Sequence, residues 1–353
     1  MQRFVIGTGR CGSTLISNML AMHPDCLMLS EFLGAIDRPN LFMPGAVTGQ
    51  RVAEMLHENL PVGEYAIHRG RMGDELLYES DDYSTMVIPA VMIAALPMLS
   101  KDPERLFGEL VAFVRTQPTQ PLAQHYLQII EWLRVKLGRK FWIERSGNAI
   151  DYMPELLDFY PKAKYLHVHR DGIDTAMSMR NFFYFQVHVS FFFNPPTRAE
   201  LELTEIAGKP ITADDPISRR IGPDLPSLEK FAEFWSHQVE IGFSAFAHMD
   251  KSQLCHIRFE DLIASPRETM AQVADFFEMP DSPGWIDKAA ALIHPPASSN
   301  AAEKLSAEEL VAVQRACRSG QILLGREHSS GIIKSIELIK EVAAEHKRSR
   351  LAG

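Results

Sequence analysis

The feature that most constrains this chain is a glycine-punctuated turn between a short apolar run and an amphipathic one, close to the N-terminus. Residues 3–6 (RFVI) read as a buried strand, Gly7-Thr8-Gly9-Arg10-Cys11-Gly12-Ser13-Thr14 follows, and the run from Ser13 reads as a helix stopped by Pro24. A strand, a tight turn and a helix start, in that order, offer an anion backbone N–H groups and the positive end of a helix dipole. Gly9, Cys11 and Gly12 supply N–H groups, Ser13 and Thr14 add hydroxyls, and Arg10 adds a permanent positive charge. Three readings compete. The spacing Gly7-x4-Gly12 fits a Walker A loop, but Ser13 stands where that loop needs lysine. Gly7-x-Gly9-x-x-Gly12 also matches a dinucleotide fingerprint, with Glu31 about 20 residues on, where a ribose partner belongs. The third reading is a tight turn without a ligand.

Strand and helix patterns alternate beyond this turn. Residues 26–30 (CLMLS), 140–144 (KFWIE), 164–169 (KYLHVH) and 253–259 (QLCHIRF) read as further strands. Helical runs lie between them, including 150–160, 171–179 and 227–249. Ser265-Pro266-Arg267-Glu268 and Ser306 with Glu309 carry capping-box signals. The expected fold is therefore α/β: a P-loop-type parallel sheet of about five strands with helices on both faces. One domain over residues 1–353 is expected, with mostly helical insertions at about 64–137 and 182–226.

A second anchor lies at residues 164–180 (KYLHVHRDGIDTAMSMR). Arg170 stands at a strand tip and Ser178 on the following helix. A planar guanidinium and a hydroxyl can converge on one phosphate; the plainer alternative is an Arg170 salt bridge to Asp171 or Asp174. Together, Arg10-Cys11-Gly12-Ser13-Thr14 and Arg170 with Ser178 resemble the 5′-phosphosulfate and 3′-phosphate motifs of the PAPS-dependent sulfotransferases, in the arginine form of bacterial and carbohydrate-type members. Cys11 stands where serine is usual. Residues 140–163, 254–277 and 303–325 resemble further family segments, with Arg145-Ser146-Gly147 replacing the usual Lys-Thr/Ser-Pro turn.

The resemblance implies transfer of a sulfuryl group from 3′-phosphoadenosine-5′-phosphosulfate (PAPS) to a hydroxyl or amine, releasing PAP and needing no metal. Arg10 would stabilise the leaving phosphate, Arg145 would share the sulfonate charge, and Glu31 would act as general base. Glu31 could instead be a solvated side chain or a partner of Arg38, and Arg145 could pair with Glu144 or Asp151. His68, His167 and His169 are alternative bases, although His167 and His169 share one sheet face and suit packing better. The aromatic run Phe182–Phe193 suits either core packing or a lid over an apolar acceptor. The rival functions are an NAD(P)-dependent oxidoreductase and a PAP-binding protein without catalysis.

Composition narrows the partners. Of 353 residues, 36 are Lys or Arg and 45 Asp or Glu, a net charge of −9 that disfavours a general nucleic-acid binder. Cys11, Cys26, Cys255 and Cys317 form no CxxC pair, which fits a reducing compartment such as the cytoplasm. No signal peptide is expected, because an apolar strand-like run follows Met1 almost at once. The apolar stretch Met86–Leu99 contains two prolines and falls short of the ~20 residues a membrane span needs; it reads as a buried helix or helix pair. A small-molecule, lipid or carbohydrate acceptor is expected.

Overall fold

The computed structural model describes residues 1–36, 42–58, 77–78, 88–195, 225–293 and 301–326. Its strands are β1 (Arg3–Ile6), β2 (Cys26–Ser30), β3 (Ala46–Val47), β4 (Gln120–Pro121), β5 (Phe141–Arg145), β6 (Lys164–His169) and β7 (Leu254–Arg258). The early helices are α1 (Ser13–Ala21), α2 (Phe32–Ala35), α3 (Gly49–His57), α4 (Ala90–Ile93), α5 (Pro103–Arg115) and α6 (Leu122–Lys136). Then come α7 (Met153–Phe159), α8 (Gly172–Arg180), α9 (Phe183–Phe193), α10 (Leu228–Phe246), α11 (Phe259–Ala264), α12 (Pro266–Phe276), α13 (Trp285–Ala290) and α14 (Ala307–Leu323).

Five strands form a mostly parallel sheet in the order β2-β5-β1-β6-β7, while β3 and β4 make a separate antiparallel ribbon. The α/β class expected from the strand-helix alternation is the one observed. All four residues of β1 are buried, as expected of a parallel strand covered on both faces.

The chain divides into two compact units, the first built from Met1–His23, Gly147–Asn181 and Pro226–Gly353, the second from Pro24–Ser146 and Phe182–Leu225. In the first unit β1 pairs with β6 from Arg3↔Lys164 to Ile6↔His167, and β6 with β7 from Tyr165↔Leu254 to His169↔Arg258. Phe4 stacks on Tyr160 and Tyr165, and the Tyr165 hydroxyl closes the end of α7 by donating to the Leu156 and Tyr160 carbonyls, both at 3.0 Å. The long helix α10 covers α8 and α14 through buried Phe231 and Trp235. Ser306 forms its expected capping box with Glu309 at the start of α14. Ser265 makes no side-chain cap. It ends α11 as well as starting α12: its N–H donates to Asp261 and its carbonyl accepts from Thr269.

In the second unit β2 pairs with β5 in parallel register from Cys26↔Phe141 to Ser30↔Arg145. Thr48 caps α3 and Asp102 caps α5, with Pro103 in the first turn. The Met86–Leu99 run holds only the short, buried α4 among its described residues, and no described helix is long and apolar enough to cross a membrane. The aromatic run forms α9, which buries Phe183, Phe185, Val187 and Val189 but leaves Phe192 41% and Phe193 39% exposed. Residues 196–224 of the expected 182–226 insertion lie outside the described residues, as do portions of the 64–137 stretch.

Candidate active site

Because β1 and β6 are parallel neighbours, the turns leaving their C-terminal ends emerge side by side at one sheet edge. The first turn holds Gly9, Arg10 and Gly12 at positive φ (73°, 51° and 95°), and α1 starts from Gly12 with no side-chain cap. The second turn carries Arg170 and leads into α8, capped by Asp171, whose carboxylate accepts from the Ile173 and Asp174 N–H groups at 2.9 and 3.1 Å. The first turn reaches α8 where Arg10 Nε donates to Ser178 Oγ at 3.2 Å.

Arg10 is a non-glycine residue in the left-handed region, a conformation held against a cost of order 1–3 kcal/mol and found mostly where the surroundings over-determine it. Gly7 lets β1 run tight against β6: a Cβ there would lie 2.7 Å from the Val168 carbonyl. Gly12 combines φ 95° with a close neighbour, since a Cβ would fall 2.1 Å from Phe259 Cδ2. Gly12→Ala is therefore expected to distort the turn and to lower the thermal midpoint, with the helical signal in circular dichroism retained below the transition.

Arg170 lies largely buried, with its guanidinium 4.9 Å above the Phe259 ring and one Nη donating to Asp174 Oδ2 at 3.1 Å. The plainer pairing with Asp174 thus forms, but it occupies one arm of a fork with five N–H donors. Phe259 contacts both turns and was not singled out from the sequence, where it is one apolar residue in an ordinary strand-to-helix run. Behind it, Arg326 donates to both Glu260 oxygens (3.1 and 2.7 Å) and to His169 Nδ1 (3.2 Å). Glu260 in turn accepts the Asp171 N–H at 3.0 Å, so this ion pair fixes the backbone beside Arg170. Burial pushes the Glu260 carboxyl up, but the Arg326 and backbone hydrogen bonds outweigh it and hold it at about 2.

Glu31 and Arg145 come together in the second unit. Glu31 follows β2 at φ 56° and its carboxylate accepts from Arg145 Nη1. The Glu31 N–H donates to the Arg145 carbonyl at 2.7 Å. The neighbouring Glu144 is fully buried and accepts from Leu33 N–H at 3.1 Å and from the Ser146 hydroxyl at 2.6 Å. Burial raises its carboxyl to about 7. Neither Glu144 nor Ser146 was picked out as functional, because a glutamate inside a five-residue strand reads as the polar beat of a half-exposed strand.

The histidines divide in two. His68 and Arg38 lie outside the described residues. His167 and His169 share one face of β6 with rings 5.4 Å apart; both are buried, and His167 Nδ1 shares a proton with His256 Nδ1 at 2.9 Å. Burial depresses both, His169 to about 3 with help from the Arg326 charge, so they stay neutral at ordinary pH. This is the packed and hydrogen-bonded role their alternation suggested. Among the described residues no cluster of His, Cys, Asp and Glu could hold a metal ion.

A parallel α/β sheet with an uncapped helix start after its first strand defines a P-loop-type fold. The sequence profile of the Sulfotransferase family matches residues 104–207 and 217–283, a span that includes Arg145, Arg170 and Ser178 and leaves out Arg10 and Glu31. The chain belongs to a sulfotransferase family. No curated protein matches it. Among solved structures it is similar to a sulfotransferase domain from the curacin biosynthetic pathway (13% identity, TM-score 0.45, covering 89% of this chain and 96% of that one). It is also similar to the sulfotransferase domain of the Synechococcus PCC 7002 olefin synthase (16%, 0.42, 97% and 94%) and to sulfotransferase STF9 from Mycobacterium avium (15%, 0.43, 91% and 76%).

Proposed function

We propose that the protein transfers a sulfuryl group from PAPS to a hydroxyl or amine of a small molecule, lipid or carbohydrate, releasing PAP. The observation that carries this reading is the Arg10–Ser178 hydrogen bond, which brings the residues assigned to the 5′ and 3′ ends of one nucleotide into a single patch. The donor set suits a doubly anionic nucleotide: a helix start without a side-chain cap, two guanidiniums and the hydroxyls of Ser13, Thr14 and Ser178. In this reading Gly9, Cys11, Gly12, Ser13 and Thr14 hold the 5′-phosphosulfate, and Arg170 with Ser178 holds the 3′-phosphate.

The chemistry asks for positioning and charge neutralisation more than for covalent help. The acceptor oxygen forms its bond to sulfur as the bond from sulfur to the 5′-phosphate oxygen breaks. The electron pair leaves with that phosphate, where Arg10 and the turn N–H groups offset the growing charge. The acceptor proton passes to Glu31, whose carboxylate Arg145 aligns; Arg145 also meets the sulfonate. No step calls for a metal. The described cysteines are all free thiols, and we assign the enzyme to the cytoplasm.

Two measurements test this. PAP and PAPS at low micromolar concentration should raise the thermal midpoint, while ATP, NAD and NADP should not; a shift with NAD instead would favour the dinucleotide reading. Glu31→Gln should keep PAP binding while lowering PAP release from PAPS by about 100-fold. Tight PAP binding without any PAP release from PAPS, across an acceptor panel, would leave a binding protein and no enzyme.

A further inference from the structure

We propose that Glu144 and Ser146 are positioning residues that hold Glu31 in place for proton removal by clamping the backbone of the turn that carries it. This rests on Glu31 being the base.

Three consecutive residues at the end of β5 grip this one turn. The Arg145 carbonyl accepts the Glu31 N–H at 2.7 Å. Glu144 Oε1 accepts the Leu33 N–H at 3.1 Å, and Ser146 Oγ accepts the Gly34 N–H at 2.9 Å. Ser146 then donates its hydroxyl proton to the same Glu144 oxygen at 2.6 Å, closing the clamp on itself. Between them the strand end satisfies the cap amide of Glu31 and the Leu33 and Gly34 amides of α2.

The turn needs that support. Its helix is only four residues long, Phe32–Ala35, and a single turn is not stable by its own hydrogen bonds. Glu31 caps it at φ 56°, a left-handed conformation that persists only when neighbouring contacts over-determine it. Without the clamp, relaxation of φ would swing the Glu31 carboxylate away from Arg145 Nη1. Glu144 itself is 1% exposed, and a buried carboxylate is a poor choice for stability, since an apolar side chain of similar size is commonly as stable or more so. Its place is explained by its acceptor oxygen. The Ser146 hydroxyl and the Glu31 and Arg145 charges are the groups that face it. A carboxyl keeps an oxygen that accepts hydrogen bonds whether or not it holds a proton, so the clamp works on both sides of neutrality.

The test reads PAP release from PAPS, with water as acceptor where no alcohol is faster, together with PAP binding. Glu144→Ala and Ser146→Ala should each lower kcat about tenfold or more with the Kd for PAP unchanged. Glu144→Gln retains an amide oxygen that can accept both hydrogen bonds, so it should restore most of the rate lost in the alanine variant. In a Glu31→Gln background Ser146→Ala should cost almost nothing further, because the clamp acts only through Glu31. If Glu144→Ala fails to fold, Ser146→Ala decides alone. Wild-type turnover in Ser146→Ala, beside a disabled Glu31→Gln, would overturn the clamp and leave Glu31 as base. Full turnover in Glu31→Gln would overturn the reading of Glu31 and the clamp with it.

Discussion

Arg10→Ala is expected to lower turnover by roughly 10²- to 10³-fold, the loss typical of removing one donor aimed at a developing oxyanion. The nucleotide should still bind, because Arg170 and the α1 N–H groups remain. Arg170→Ala should do the opposite. On the proposed reading it removes charge-assisted hydrogen bonds to the 3′-phosphate, worth about 1.5–3 kcal/mol, and should raise the Kd for PAP by about 10- to 100-fold. Binding of AMP, which lacks that phosphate, should stay within about twofold of wild type. The contrast is sharp because the side chains differ in setting. Arg10 sits in a strained turn against Ser178, whereas Arg170 is braced by Phe259 below and Asp174 beside it. Arg10→Lys keeps the charge but not the fork that reaches Ser178, and should recover only part of the rate. Calorimetry with PAP and AMP, with PAP release rates beside it, checks both. Equal loss of PAP and AMP binding in Arg170→Ala would remove it from the 3′ end.

The parts of this molecule that were legible in the sequence are those encoded locally. Each of the five sheet strands lies within a residue or so of its reading; β1 and β2 are short apolar runs buried along their whole length, as parallel strands covered on both faces must be. Gly7 to Gly12 was legible because a positive φ and a close backbone approach leave few residue choices. Arg170 and Ser178 could be paired because helix α8 follows its strand after only two residues. What escaped depends on contacts between distant residues. Phe259 matters because it lies against Gly12 and Arg170, both far away in the chain. Arg326 matters because it reaches Glu260 and His169. Glu144 gave no sign, since its burial follows from β2 lying beside β5 rather than from its own neighbours in sequence. Ser265 shows the converse: a local capping signal was present, but the preceding helix claimed the same backbone.

Acidification should destabilise the protein by about 2 kcal/mol between pH 6.5 and pH 5, and the sign follows from which buried groups win. His167 and His169 are held neutral in the folded state by burial, with His256 and Arg326 adding positive neighbours and only Glu260 opposing. Their folded values lie below the ordinary 6.5, so their contribution is complete above pH 6.5 and is lost as pH falls. Two rings that stay neutral while the unfolded chain binds their protons cost about 3 kcal/mol over that interval, and His256, also lowered by burial, adds to the loss. Glu144 works the other way. Its folded value, about 7, lies above the ordinary 4.5, so its contribution is complete below pH 4.5 and is lost as pH rises through 7. Over the same interval it returns about 2 kcal/mol, half of what the histidines remove. The Glu260–Arg326 pair holds until pH falls below 4.5 and does not enter this window. Thermal or urea midpoints at pH 7, 6 and 5 read the net slope. Glu144→Gln deletes the counterweight and should roughly double the acid loss. His169→Gln, which keeps an acceptor for Arg326, should halve the share of His167 and His169. A midpoint that stays flat from pH 6.5 to 5 in both the wild type and Glu144→Gln would show that these rings are not held neutral by the fold.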